Sequence, residues 1–190
     1  MVNVGAGLVN SFSRRGQALQ IKLRHNQVAV LHALTGGLIE LVGPLGLPDG
    51  TDQLDAIMAA LTSDNSNLPL DDPALRRLFP DAYPNDQAAS GEFRRYTQAD
   101  QATAKVDAAR TMAADVAAAD DGWVTVPPDH VEAWMITLTN LRLILAARLG
   151  INDEDGWDGN SPLAFNDPRT PTAAVYDWCG WILESLIACL

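Results

Sequence analysis

From Leu19 to Leu23 apolar and polar residues alternate, and this period of two predicts a short strand over Ala18 to Leu23. The pattern then changes. Val28, Leu31, Leu34, Leu38 and Leu41 recur at helical spacing, which predicts a helix over Asn26 to Val42, stopped by Gly43-Pro44. Gly36-Gly37 interrupts its middle and suggests a kink or a close neighbour. A second helix is expected behind Thr51, with Leu54, Ile57, Met58 and Leu61 on one face. Pro73 opens a short helix that Phe79-Pro80 closes.

From Asn85 to Ala119 the period stays helical, through Ala89, Phe93, Tyr96, Thr103, Val106, Met112 and Val116. Such a helix would be ~50 Å long, whereas a chain of this size has an expected radius of gyration of about 16 Å. It must break at Gly91, form the long axis of the fold, or protrude. Trp123 to Val126 reads as a strand between Asp121-Gly122 and Pro127-Pro128, and is expected to pair with Ala18–Leu23 as a two-stranded ribbon. The segment from Asp129 to Leu149 is apolar nearly all round and predicts the central buried helix, ended by Gly150. An acidic loop over Ile151 to Thr170 precedes a last helix, with Val175, Trp178, Cys179, Ile182, Leu186 and Cys189 on one face.

These elements add up to a single, mostly α domain, bundle-like or orthogonal, of about six helices with a small two-stranded β-ribbon. Residues 1–16 are expected to be a poorly ordered N-terminal segment. Asn140 and Arg142 fall inside the apolar run of the central helix, and a buried arginine needs a partner. Glu40 and Glu184, on other apolar helices, are the candidates.

The 190 residues suffice for one real hydrophobic core, and 47% of them are hydrophobic. The net charge is −11. It is unevenly spread: residues 1–39 hold Arg14, Arg15, Lys22 and Arg24 and no acid, while residues 40–190 hold 9 bases and 24 acids. The bulk charge disfavours nucleic acid as a partner, although the basic N-terminal segment leaves a DNA-binding regulator as the alternative. A helix-turn-helix over residues 26–62 is disfavoured, because its second helix would carry Asp52 and Asp55 towards phosphate. No apolar stretch offers ~20 uninterrupted residues for a membrane span. Nothing at the start has the charged head of a secretory signal, so a cytoplasmic protein is expected. Cys179 and Cys189 would be separated by ~15 Å of helix rise, beyond the reach of a disulfide.

Catalytic, cofactor and metal motifs do not stand out. The acidic loop from Asn152 to Asn160 fails the EF-hand register, since position twelve would be Phe165. His25, His32 and His130 lack metal-ligand spacing, and no phosphate loop, nucleophile elbow or zinc-protease motif is present. An enzyme is therefore not expected, and no cofactor is assigned. The candidate partner-contact residues are the arginine doublets Arg76, Arg77 and Arg94, Arg95 around Phe79 and Tyr83, with Phe93 and Tyr96 alongside. The plainer account is that these arginines pair with Asp71, Asp72, Asp81, Asp86 and Glu92 and fasten the short helix to the long one.

Several segments resemble an actinobacterial family known only as a domain of unknown function. They are Asp72-Pro73 with Arg77-Leu-Phe-Pro-Asp-Ala-Tyr83, then Glu92-Phe-Arg94, Trp134, Leu138-Thr-Asn-Leu-Arg-Leu143, Ala147-Arg-Leu-Gly150 and Val175-Tyr-Asp-Trp178. The chain departs from the expected pattern at His25-Asn26-Gln27 and at Thr139-Asn140. The resemblance implies genes beside the Clp protease adaptor, a metal-dependent peptidase, a sulfur carrier and a cysteine synthase. Some members carry a transcriptional-regulator label. The reading it supports is a non-enzymatic regulatory or protein-interaction module tied to Clp-dependent proteolysis. A protein partner is expected, and a homodimer is left open.

Overall fold

The computed structural model describes residues 10–46, 72–151, 163 and 166–190. Among them are three strands, β1 (Ser13–Arg15), β2 (Ala18–Lys22) and β3 (Trp123–Val126). The helices are α1 (His25–Val42), α2 (Pro73–Leu78), α3 (Gln87–Ala117), α4 (Val131–Leu149) and α5 (Thr170–Ile187). The mostly helical class with a small β part is as expected. The helix expected behind Thr51 and the acidic loop at Asn152 to Asn160 lie outside the described residues.

The ribbon has three strands rather than two, ordered β1-β2-β3 and antiparallel throughout. The extra strand comes from the segment expected to be poorly ordered, and residues 10–16 of it are held in place. Gly16, at φ +66°, makes the two-residue turn between Arg15 and Ala18. Phe12 is buried and meets Trp134 edge-to-face at 5.6 Å. Arg14 Nε donates to the Cys189 carbonyl at 2.9 Å, which ties β1 to the residues that follow α5. No alternation marks Ser13-Arg14-Arg15, so these long-range contacts could not be read locally.

Sheet pleating puts directly opposed residues on one face. Leu19, Ile21, Val124 and Val126 face the core, while Arg15, Gln20, Lys22, Trp123 and Thr125 face outward. Gly122, at φ +78°, accepts a hydrogen bond from Leu23 N at 2.7 Å. A Cβ at this glycine would lie 2.3 Å from the Leu23 carbonyl oxygen.

α1 starts without an acidic cap. Gln27 Oε1 instead accepts from Arg24 N at 2.8 Å and from Asn10 Nδ2 at 3.3 Å. With the short turn that follows it, α1 forms a run from His25 to Leu45 long and apolar enough by length and composition to cross a membrane. In the structure it packs along α3 through Leu31, Leu38 and Val42. Gly36 and Gly37 have nothing within 4 Å of an added Cβ, so no close neighbour explains them.

α3 is unbroken across Gly91 and runs ~46 Å. Ser90 is the sole buried residue of its first third, whereas Ala102, Val106, Ala108, Ala109, Met112 and Val116 line its inner face further on. The helix is axial at its C-terminal end and reaches beyond the core at its start. α4 begins two residues later than expected, because Pro128–His130 forms a 3-10 turn first. It ends as expected at Gly150, which caps it in the left-handed conformation at φ 71°.

The core has two parts. One joins the sheet to Leu31, Met112, Val116, Trp134, Leu138, Trp178, Ile182 and Leu186. The other joins Leu38 and Val42 of α1 to Leu78, Phe79, Ala102, Val106, Ala109 and Leu141. α3 and α4 contribute to both parts.

Candidate functional site

The expected contact region is assembled at the exposed start of α3. Asp72 caps α2 by accepting from Ala74 N at 2.7 Å, and its other oxygen accepts from Arg148 at 2.6 Å. The capping aspartate therefore fastens α2 to the end of α4, not to α3. Phe79 ends α2 and turns inward, buried, with Lys105 Nζ 5.5 Å from its ring centroid. Its expected place on the contact surface is corrected accordingly: it is a floor beneath that surface.

The chain then turns back through Pro80 and Pro84. Ser90 Oγ accepts from Tyr83 N at 3.0 Å and donates to the Tyr83 carbonyl at 2.8 Å. Asp86 caps α3 by accepting from Ala89 N at 3.0 Å. Asp81 pairs with Arg94. These bonds hold the loop against the first turns of α3. Tyr83 stands edge-to-face with Phe93 at 6.3 Å, and Tyr96 lies one turn further on. Tyr83, Phe93 and Tyr96 are 51%, 42% and 54% exposed. Exposed aromatic rings on a fixed scaffold are the usual anchors of protein contacts.

Of the four arginines, Arg94 borders this surface. Arg94 is engaged by Asp81 and Arg95 is half-buried. Arg76 and Arg77 occupy the last turn of α2, where the negative end of the helix favours cations. A hollow beside the rings, bounded by Pro80, Ala82, Ser90 and Phe93, encloses only about 20 Å³. That is room for about one water, so the arrangement suits a surface contact and not a small molecule.

The buried polar candidates separate. Asn140 is buried on α4, as expected. Arg142 does not meet Glu40 or Glu184, which are both exposed. Its guanidinium instead lies 5.0 Å from the Tyr176 ring centroid and donates to the Tyr176 hydroxyl at 3.3 Å. The Tyr176 ring stabilises the cation, and the neighbouring Asp177, not Glu40 or Glu184, is the carboxylate close enough to interact with its charge. Cys179 sits nearby, and burial pushes its thiol up to about 12 against the opposing pull of Arg142.

A further constellation joins α3 to α4. His130 Nδ1 lies 3.0 Å from Asp115 Oδ1, and Trp134 Nε1 donates to Asp115 Oδ2 at 2.9 Å. It fastens the end of α3 to the entry of α4. Asp115 sits in an alanine-rich run and its partners are 15 and 19 residues away, so no local spacing signals it. Among the described residues, no group of three or more His, Cys, Asp or Glu side chains is placed to hold a metal ion.

The chain is 27% identical over 190 residues to the oxidative stress regulator AosR of Mycobacterium bovis and to that of Mycobacterium tuberculosis, covering 94% of this chain and 84% of each relative. No solved structure matches. The domain-of-unknown-function family DUF2017 matches residues 9–190, nearly the whole sequence, and the chain belongs to that family.

Proposed function

We propose that this protein is a cytoplasmic, non-enzymatic regulator of the oxidative stress response, working by contact with another protein through Tyr83, Phe93 and Tyr96. The observation that carries the reading is the position of these rings. They are exposed on a loop and helix start whose backbone is fixed by Ser90, Asp86 and the Asp81–Arg94 pair. A regulatory role is supported by the relatives named as oxidative stress regulators. The gene neighbourhood that the family resemblance implies would place that partner in Clp-dependent proteolysis.

The test is genetic. Phe93→Ser with Tyr96→Ser is introduced at the chromosomal locus, and cells are challenged with peroxide. The expected result is sensitivity equal to that of the deletion strain, with normal levels of the variant protein. Wild-type resistance at normal protein level would remove the aromatic surface from the mechanism.

A further inference from the structure

The outward face of the sheet carries a different chemistry from the rest of the molecule. Arg15, Gln20, Lys22, Trp123 and Thr125 project from it, with Arg24 two residues beyond the end of β2. None of the strand residues on the face is an acid, in a chain with 24 acids against 13 bases, although Asp120 and Asp121 adjoin it at the start of β3. Four bases, Arg14, Arg15, Lys22 and Arg24, fall in residues 1–39. The structure separates them: Arg14 turns to the C-terminal carbonyls, while Arg15 and Lys22 share the outer face with an exposed indole.

The side chains form a connected layer. Arg15 donates to Gln20 Oε1 at 3.3 Å, and Gln20 Nε2 donates to Thr125 Oγ1 at 2.8 Å. Lys22 Nζ lies 5.3 Å from the Trp123 ring centroid and 3.4 Å from Asp121 at the rim. Trp123 is 38% exposed although it belongs to a strand, and its neighbours Val124 and Val126 are fully buried. A sheet face with an accessible ring, flanking cations and amide or hydroxyl groups is a platform for unpaired bases. The ring stacks on a base, the cations take phosphates, and Gln20 and Thr125 offer both donors and acceptors.

We propose that this outer sheet face docks a short run of single-stranded nucleic acid, with Trp123 stacking on a base and Arg15, Lys22 and Arg24 contacting the backbone. The site stands apart from the aromatic surface on α3 and does not depend on it. The −11 charge of the whole molecule opposes approach, but at 0.1 M salt the screening length is about 10 Å, so distant acids are largely screened and Asp121, beside Lys22, is the nearby opposing charge.

The experiment is fluorescence anisotropy of a labelled oligothymidylate, and separately an oligouridylate, titrated with the full chain. Binding through three phosphate contacts should weaken about 18-fold between about 50 mM and about 200 mM salt. Trp123→Ala should weaken it about tenfold, and Trp123→Phe should restore most of the loss. Lys22→Glu should abolish binding at the higher salt, whereas Arg110→Glu, the same charge change on the exposed side of α3, should leave it near the wild-type value. Far-UV circular dichroism of each variant confirms that it is folded. Any of four results would overturn the proposal: no binding at low salt, full binding by folded Trp123→Ala, equal losses in Lys22→Glu and Arg110→Glu, or equal competition by polyglutamate. The last would mean a docking site for acidic protein segments instead.

Discussion

Asp72 shows how much one side chain can hold. It caps α2 and grips Arg148 at the end of α4. Burial raises its carboxyl pKa, but the Arg148 hydrogen bond and charge, with the N–H groups of Ala74 and Leu75, outweigh this and leave it below 3.8. A carboxyl with a depressed folded-state pKa contributes stability that is present above the unfolded value and lost as pH falls through the folded one. Part of the stability should therefore disappear as pH drops below 3.8. Asp72→Ala should cost about 1 kcal/mol for the cap, and the exposed ion pair adds up to about 1 kcal/mol. Urea denaturation at neutral pH and near pH 3 measures both. The acid-dependent portion should shrink in the variant. An unchanged acid response would mean that Asp72 is not the group responsible. Cys179 gives a second prediction at this scale. With its thiol held at about 12 it carries almost no thiolate at neutral pH, so alkylation should reach Cys189 first and Cys179 only on unfolding. Mass mapping after brief iodoacetamide treatment reads this directly, and early modification of Cys179 would contradict the packing around it.

At the scale of elements, glycines of the same type have opposite meanings. Gly36 and Gly37 lie within α1 with open space around them, so alanine at either should stabilise by roughly 0.5–1 kcal/mol through helix propensity alone. Gly122 sits at positive φ with no room for a Cβ, so Gly122→Ala should destabilise by roughly 1–3 kcal/mol. Thermal unfolding should order the proteins as Gly36→Ala above wild type above Gly122→Ala, and the reverse order would refute the account of α1. Sequence periodicity located the described helices well, because each buries a face whose spacing is local: Leu31, Leu38 and Val42 on α1, or Trp134, Leu138, Leu141 and Leu145 on α4. It missed β1, because Ser13–Arg15 is exposed on every residue and is held by its pairing and by contacts to α5. It also offered Gly91 as a break in α3, where continuous hydrogen bonding carries the helix through a glycine without interruption.

Across the whole molecule, the described core is built around α3 and α4, and the start of α3 extends past it to display aromatic rings. The aromatic cluster was legible because Phe79, Tyr83, Phe93 and Tyr96 are close in sequence. The inward turn of Phe79 was not, since it depends on Lys105 and the second core cluster. The partners of Arg142 and Asp115 were hidden for the same reason: they are set by how helices pack, not by spacing along one of them. The exposed rings are the protein-contact surface proposed above. The most direct measurement is quantitative affinity capture from nuclease-treated native lysate, comparing wild type with folded Phe93→Ser/Tyr96→Ser. The account predicts a partner retained by the wild type and reduced about tenfold or more by the loss of two anchor side chains. Equal retention of the same proteins by both would contradict it.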